Sequence, residues 1–308
     1  MRLWVKVARM YHEERMGQPA IAKRLNLSQS QISRLLREAQ DNGVIRTLVV
    51  TPTGLYSELE EELRRRFDLL DVVVADAPDD DAHAVTSAIG TAAAVYLEHT
   101  LGRGERLGVS SRSAALQATV DVMSPVKTGA VETVVQSLGA VGDAAMRAQA
   151  SRLTGSFAHL TRARPIYLAT PGVLTSQVVR DGLLADAHIA EAASAWRSLT
   201  TLVTGIGAMS APHRTGGSAL AESDSERLQR AGAVGDMCLN FFDEHGATVP
   251  DELSDRVIGI SEGELRAVPR RIAVAGGPQK SRAILAACRG GWANVLVTDQ
   301  FTAERLCA

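Results

Sequence analysis

Residues 18–45 read QPAIAKRLNLSQSQISRLLREAQDNGVI, a pattern that specifies two short helices joined by a tight turn. Pro19 suits the first turn of a helix, where its missing N–H costs nothing. Ile21, Ala22 and Leu25 supply that helix's apolar face, and small Ala22 lets a second helix approach. Asn26 tolerates the left-handed backbone that a tight turn demands, and Leu27 plugs the turn. Ser28 is a good N-cap for the next helix. Ile32, Leu35, Leu36 and Ala39 form its buried stripe, and Gly43 closes it. The face left over carries Gln29, Ser30, Ser33, Arg34 and Arg37, donors and acceptors suited to base edges and phosphates, with no acid among them. With Gln18 and Lys23 of the first helix, these are the candidate DNA-binding residues of a helix-turn-helix.

Working outward, Leu3, Val7, Met10 and Tyr11 recur at helical spacing, so residues 2–15 read as an amphipathic helix. On the other side, Val44, Ile45, Leu48, Val49 and Val50 suit a short β-segment that could form a wing. Thr51-Pro52-Thr53-Gly54 is a turn that ends the module, giving a first domain of residues 1–53. Charge supports the division. Residues 1–50 hold nine Lys and Arg against four acids, a net +5, in a chain whose total is −2. A basic head on an acidic body suits a DNA-reading module joined to something else. Residues 54–70 then form a linker helix with Leu55, Leu59, Leu63 and Phe67 on one stripe, which either packs on the next domain or pairs with another subunit.

Residues 71–308 form the larger domain. Apolar, β-branched runs at 72–75, 106–109, 133–137, 166–169, 200–204, 271–275 and 294–298 alternate with helical patterns near 83–99, 113–123, 144–153, 176–195, 225–245 and 279–289. Strands apolar on both faces with helices between them predict an α/β fold, a doubly wound and mostly parallel sheet. Ligands of such sheets sit beyond the carboxyl ends of the strands.

Four loops are placed at such ends. Leu107–Ala114 (LGVSSRSA) brings Gly108, Ser110, Ser111, Arg112 and Ser113 to a helix start, a plausible anion cradle, although Ser-rich helix caps are common. Gly139 lies in LGAVGD, which an ordinary turn also explains. Gly205 and Gly207 lie in VTGIGAMS, where a tight strand exit is the plain alternative. VAGGPQKSRAI puts Lys280 in the first turn of a helix, where the macrodipole disfavours a cation unless an anion sits nearby. Asp236, in GAVGDM, opens a predicted helix, and N-capping alone would explain it. Glu262 and Asp299 are further acids near strand ends.

These blocks resemble the SorC family of bacterial regulators, which join a helix-turn-helix to a DeoR-type sugar-binding domain. The resemblance is carried by the 18–45 segment, TTLVTGIG, GAVGDMCLNFFDEHG and RVIGISEGELRAVPRRIAVAGGPQKSRAILAACRGGWANVLVTDQFTAERL, in order along nearly the whole chain. It implies an effector domain related in fold to sugar-phosphate isomerases, a phosphorylated sugar that alters operator binding, and a working unit that is often a tetramer; the small DNA-reading module by itself predicts at least a dimer on DNA. The resemblance also implies that Asp236 meets sugar hydroxyls, that Lys280 lies near the ligand, and that the 108–113 loop holds phosphate. One departure stands out: where the family has a GxSWGxT-like loop, Arg112 replaces a small residue and Ala114 a hydroxyl.

The composition excludes other classes. No apolar run approaches the ~18 residues that span a bilayer, and the N-terminus lacks a signal peptide's apolar stretch. Three cysteines in no metal-ligand spacing suit reduced thiols in the cytoplasm. No HExxH or Cys/His group occurs, so neither metal nor cofactor is expected. A sugar-phosphate enzyme carrying a DNA-binding head is the competing expectation. Asp236, Glu262 and Lys280 could serve acid–base chemistry, but no linear motif assembles a nucleophile and base.

Overall fold

A computed structural model of the chain describes residues 2–45, 55–110, 113–126, 131–142, 144–209 and 220–308. The chain divides into two compact units, Met1–Pro52 and Thr53–Ala308.

In the first unit, α1 (Arg2–His12), α2 (Gln18–Leu25) and α3 (Gln29–Asp41) pack around Val7, Met10, Ile21, Ala22 and Ile32. The turn follows the residue chemistry. Asn26 adopts φ 54°, ψ 44° and caps α2. The Ser28 hydroxyl accepts from Gln31 N–H while the Gln31 side chain accepts from Ser28 N–H, a reciprocal capping box that fixes where α3 begins. The wing expected after Ile45 and the 51–54 turn fall outside the described residues.

The second unit begins with α4 (Ser57–Phe67) and β1 (Asp71–Ala75). Next come α5 (Ala82–Thr100), β2 (Glu105–Val109), α6 (Ala114–Val122), β3 (Val131–Gln136), α7 (Ala144–Thr161) and β4 (Arg164–Ile166). The chain continues through α8 (Gln177–Leu184), α9 (Ala187–Trp196), β5 (Thr201–Thr204), β6 (Gly207–Ala208), α10 (Glu222–Arg230), β7 (Gly235–Met237) and β8 (Asn240–Phe242). It ends with α11 (Glu262–Ala267), β9 (Arg270–Val274), α12 (Ser281–Arg289), β10 (Val295–Asp299) and α13 (Gln300–Cys307).

Seven strands form a wholly parallel sheet in the order β1-β10-β9-β5-β2-β3-β4. Alternate side chains feed two cores. Leu107, Val109, Val203, Ile272, Val274, Val295 and Val297 face one core with residues of α5, α6 and α7. Leu202, Ala273, Ala275 and Leu296 face the other with residues of α4, α9, α11, α12 and α13. Both sheet faces are therefore covered, as a parallel sheet requires. Leu63 is fully buried in the second core, and Leu59 and Phe67 pack beside it. The linker stripe is thus occupied by its own domain, apart from exposed Leu55.

Three expectations need correction. The helical pattern near 176–195 is two helices, α8 and α9, parted where Asp186 caps α9 by accepting His188 N–H at 2.9 Å. Residues 225–245 are not one helix: α10 stops at Arg230, and Asp236 lies on β7 of a small antiparallel sheet, β6-β7-β8. The cause is a two-residue turn in which Cys238 and Leu239 adopt φ 54° and 62°, values ordinarily left to Asn or Gly. Asp236 Oδ2 holds that turn by accepting Leu239 N–H at 3.0 Å. The fourth strand runs over Arg164–Ile166 rather than 166–169 because it pairs only with Thr133–Val135 at the sheet edge.

Candidate functional site

Residues on neighbouring strands leave the sheet in opposite directions at one point. After β2 the chain crosses to the α5–α6–α7 face, and β3 lies beyond it. After β5 the chain enters the β6–β8 hairpin region on the opposite face, with β9 beyond. The β2/β5 boundary is therefore the topological switch point, where the diverging connections open a crevice at the strands' carboxyl ends.

The crevice collects much of the predicted effector set. Ser110 follows β2 and is 3% exposed, and its hydroxyl has no hydrogen-bond partner among the described residues. An unsatisfied buried hydroxyl costs about 1–3 kcal/mol, so a ligand group that filled it would be well received. Ser113 caps α6, its Oγ accepting from Leu116 N–H at 3.2 Å. Gly205 lies against it: a Cβ on Gly205 would fall 2.7 Å from Ser113 Oγ. Gly207 pairs with Asp236 across β6 and β7, so closely that a Cβ there would overlap the Asp236 carboxylate. β6 in turn lies against the 3-10 turn Pro278–Lys280, which opens α12, and Gly235 packs on Ala283 of that helix. Ser113, Gly205, Gly207, Asp236 and Lys280 are all half-buried, as walls of a crevice should be.

Not every predicted residue has a ligand-facing reason for its type. A Cβ on Gly108 would press on Leu199 and on Ser137 Oγ, and one on Gly139 would meet the Gly172 backbone at 2.6 Å. Close packing accounts for both glycines. Ser111 and Arg112 lie outside the described residues. Three features go beyond the reading of the sequence. Burial pushes the Cys238 thiol up to about 12, and its Sγ lies 3.6 Å from Thr204 Oγ1 at the end of β5. Gly277 adopts φ 95° just before Lys280. Asp299, fully buried, holds the Gly277 N–H at 3.0 Å. The glycine pair was a visible signal for the second, whereas the Asp299 contact joins residues 22 apart in sequence.

On α3, Gln29, Ser30, Arg34 and Arg37 are exposed and Ser33 is half-buried, while on α2 Lys23 is exposed and Gln18 half-buried. Arg34 Nε lies 3.8 Å from Glu38 Oε1, and Glu38 Oε2 accepts from Trp4 Nε1 at 2.9 Å. An acid therefore borders the candidate DNA face, but its position is held from the α1 side.

Among the described residues, no helix is long and apolar enough to cross a membrane, and no group of His, Cys, Asp and Glu could hold a metal ion. Residues 52–308 match the family model described as "Putative sugar-binding domain". Over 305 residues the chain is 29% identical to the deoxyribonucleoside regulator of Bacillus subtilis, covering 99% of this chain and 97% of that protein. It is 28% identical to the sorbitol operon regulator of Klebsiella pneumoniae over 307 residues, 99% of this chain and 98% of that one. The crystal structure of the full-length K. pneumoniae regulator superposes with a TM-score of 0.75 at 27% identity, covering 100% of this chain and 99% of that one.

Proposed function

The chain belongs to the SorC family of transcriptional regulators with a sugar-binding domain, and we propose that it is a DNA-binding regulator whose operator affinity is set by a phosphorylated sugar. The observation that carries the reading is the convergence at the β2/β5 crevice of a buried Ser110 hydroxyl without a partner among the described residues, the Gly205–Gly207 exit, the Asp236 carboxylate and the Lys280 turn. Chemically these are a donor-rich anion site beside an acceptor for hydroxyls. In this reading Ser110, Ser111, Arg112, Ser113 and Lys280 receive the phosphate, and Asp236 fixes the sugar hydroxyls. Gln18, Lys23, Gln29, Ser30, Ser33, Arg34 and Arg37 meet the operator.

The relatives' names support a regulator in place of an enzyme, and the effector is bound without turnover. The protein works in the cytoplasm, where DNA is accessible, as a homodimer or homotetramer, because two-fold proteins match palindromic half-sites. For the effector to regulate, it must favour one DNA-binding state. Moving a 1:99 equilibrium to 99:1 takes about 5.5 kcal/mol of differential affinity. A phosphate and several hydroxyls, each held by charge-assisted hydrogen bonds, can supply a total of that order.

The test is a thermal-shift screen against free and phosphorylated sugars, including deoxyribose 5-phosphate and sorbitol 6-phosphate, each followed for turnover. A ligand at 100 times its Kd should add about 2.7 kcal/mol of stability. A phosphorylated member should stabilise the protein, its free sugar should not, and no product should form. Equal response to free sugars, or turnover, contradicts the reading.

A further inference from the structure

Asp299 is fully buried at the end of β10, where its carboxylate collects three donors. Oδ1 accepts Thr302 N–H at 2.9 Å, and Oδ2 accepts Thr302 Oγ1 at 2.7 Å and Gly277 N–H at 3.0 Å. The Thr302 hydroxyl also accepts Gly277 N–H, at 2.8 Å. Gly276 must be glycine here, because a Cβ would overlap Asp299 Oδ2. The Gly276–Gly277 segment, in which the positive φ of Gly277 sets the course of the Pro278–Lys280 turn, is therefore fastened to the first turn of α13. The next residue, Gln300, makes a two-way hydrogen bond to Ala77, tying in the loop after β1.

The other end of α13 meets α4. Leu306 and Ala303 share a core with Leu63, and Arg66 donates to the Cys307 carbonyl at 2.5 Å. α4 also holds β1: Glu60 accepts Val74 N–H at 2.9 Å, and Tyr56 donates to Asp76 at 2.7 Å. In the chain, α4 follows directly after the residues that join the two units. One short helix thus touches the Lys280 turn's anchor at its start and α4 at its end.

We infer that Asp299 is a positioning residue that, with Thr302, sets the Gly276–Lys280 turn, and that α13 carries the position of that turn to α4. The inference rests on the effector reading of that turn, but its test uses no effector. A failed sugar screen and a failed coupling are therefore separate results. Rigid elements and buried hydrogen bonds transmit displacement because packed interiors do not deform freely.

Hydrogen exchange by mass spectrometry on the full chain is the measurement. Thr302→Val removes the hydroxyl at nearly constant size, and Thr302→Ser keeps it. The expected result for Thr302→Val is exchange about tenfold faster in peptides covering 274–282 and 55–68, from the loss of the hydroxyl's hydrogen bonds to Asp299 and Gly277. Peptides of α5 and α7 should stay as in wild type, and Thr302→Ser should restore both segments. Gly276→Ala, which disturbs the same contact from the turn side, should accelerate 55–68 as well. An unchanged 55–68 peptide in both Thr302→Val and Gly276→Ala overturns the coupling. Equal acceleration of α5 and α7 in Thr302→Val overturns it too, because the contact would then support the whole domain; Gly276→Ala is not used for this control, since its methyl would also press on Val85 of α5.

Discussion

Gly207 and Asp236 face each other across two short antiparallel strands with no room for even a methyl group on Gly207 beside the Asp236 carboxylate. The same carboxylate holds the strained Cys238–Leu239 turn through Leu239 N–H. The Asp236 carboxylate is therefore fixed in place, and the glycine opposite is what leaves it there.

Gly207→Ala should displace the carboxylate and weaken sugar-phosphate binding by about 1.5–3 kcal/mol, the range for hydrogen bonds to a charged group. Calorimetric titration with the best ligand of the thermal-shift screen measures this. Wild-type affinity in the variant would mean that Asp236 does not touch the ligand.

Arg34→Ala should weaken operator binding by roughly 1–3 kcal/mol if Arg34 makes a bidentate base contact. Its side chain is 70% exposed, so the fold of the first unit should survive. Gel shifts at fixed salt, with circular dichroism as the folding control, decide the matter. An unchanged affinity would remove Arg34 from the DNA face.

Acid should loosen the packing of α10 against the 249–257 segment. Arg227 donates to both oxygens of Asp251 at 2.7 and 2.8 Å, and this pairing holds the Asp251 carboxyl below its usual range. A depressed folded-state pKa contributes stability that is full above the unfolded value and is lost as pH falls through the folded one. Urea midpoints of the wild type should therefore drop between about pH 5 and pH 2 by more than those of Asp251→Asn. Asp251→Asn should also be the less stable protein at neutral pH. Parallel curves for the two proteins would show that the pair contributes nothing.

The sheet was legible because a strand buried on both faces leaves a run such as Val295–Leu296–Val297, which needs no partner to be recognised. The helix-turn-helix was legible because Asn26 and Ser28 act through their own neighbouring backbone. The β7–β8 hairpin was not. Its turn residues, Cys238 and Leu239, are ones that turn chemistry disfavours, and they are held there by the local Asp236 cap together with a contact between Cys238 and Thr204, 34 residues away in sequence. The roles of Gly108 and Gly139 were equally hidden, because Leu199 and Gly172, which crowd them, are distant in sequence. Lys280 stood out from its awkward place at a helix start, whereas the hold of Asp299 on Gly277, three residues before it, depends on strand order that local pattern does not encode.

The most direct test of the central claim is a gel-shift titration of an operator selected from random duplexes, using wild type and Lys280→Ala with and without the sugar phosphate found in the screen. The account predicts equal operator affinity without ligand, a shift of at least tenfold on adding ligand to the wild type, and little shift in the variant. A variant that responds to the ligand as the wild type does would contradict it.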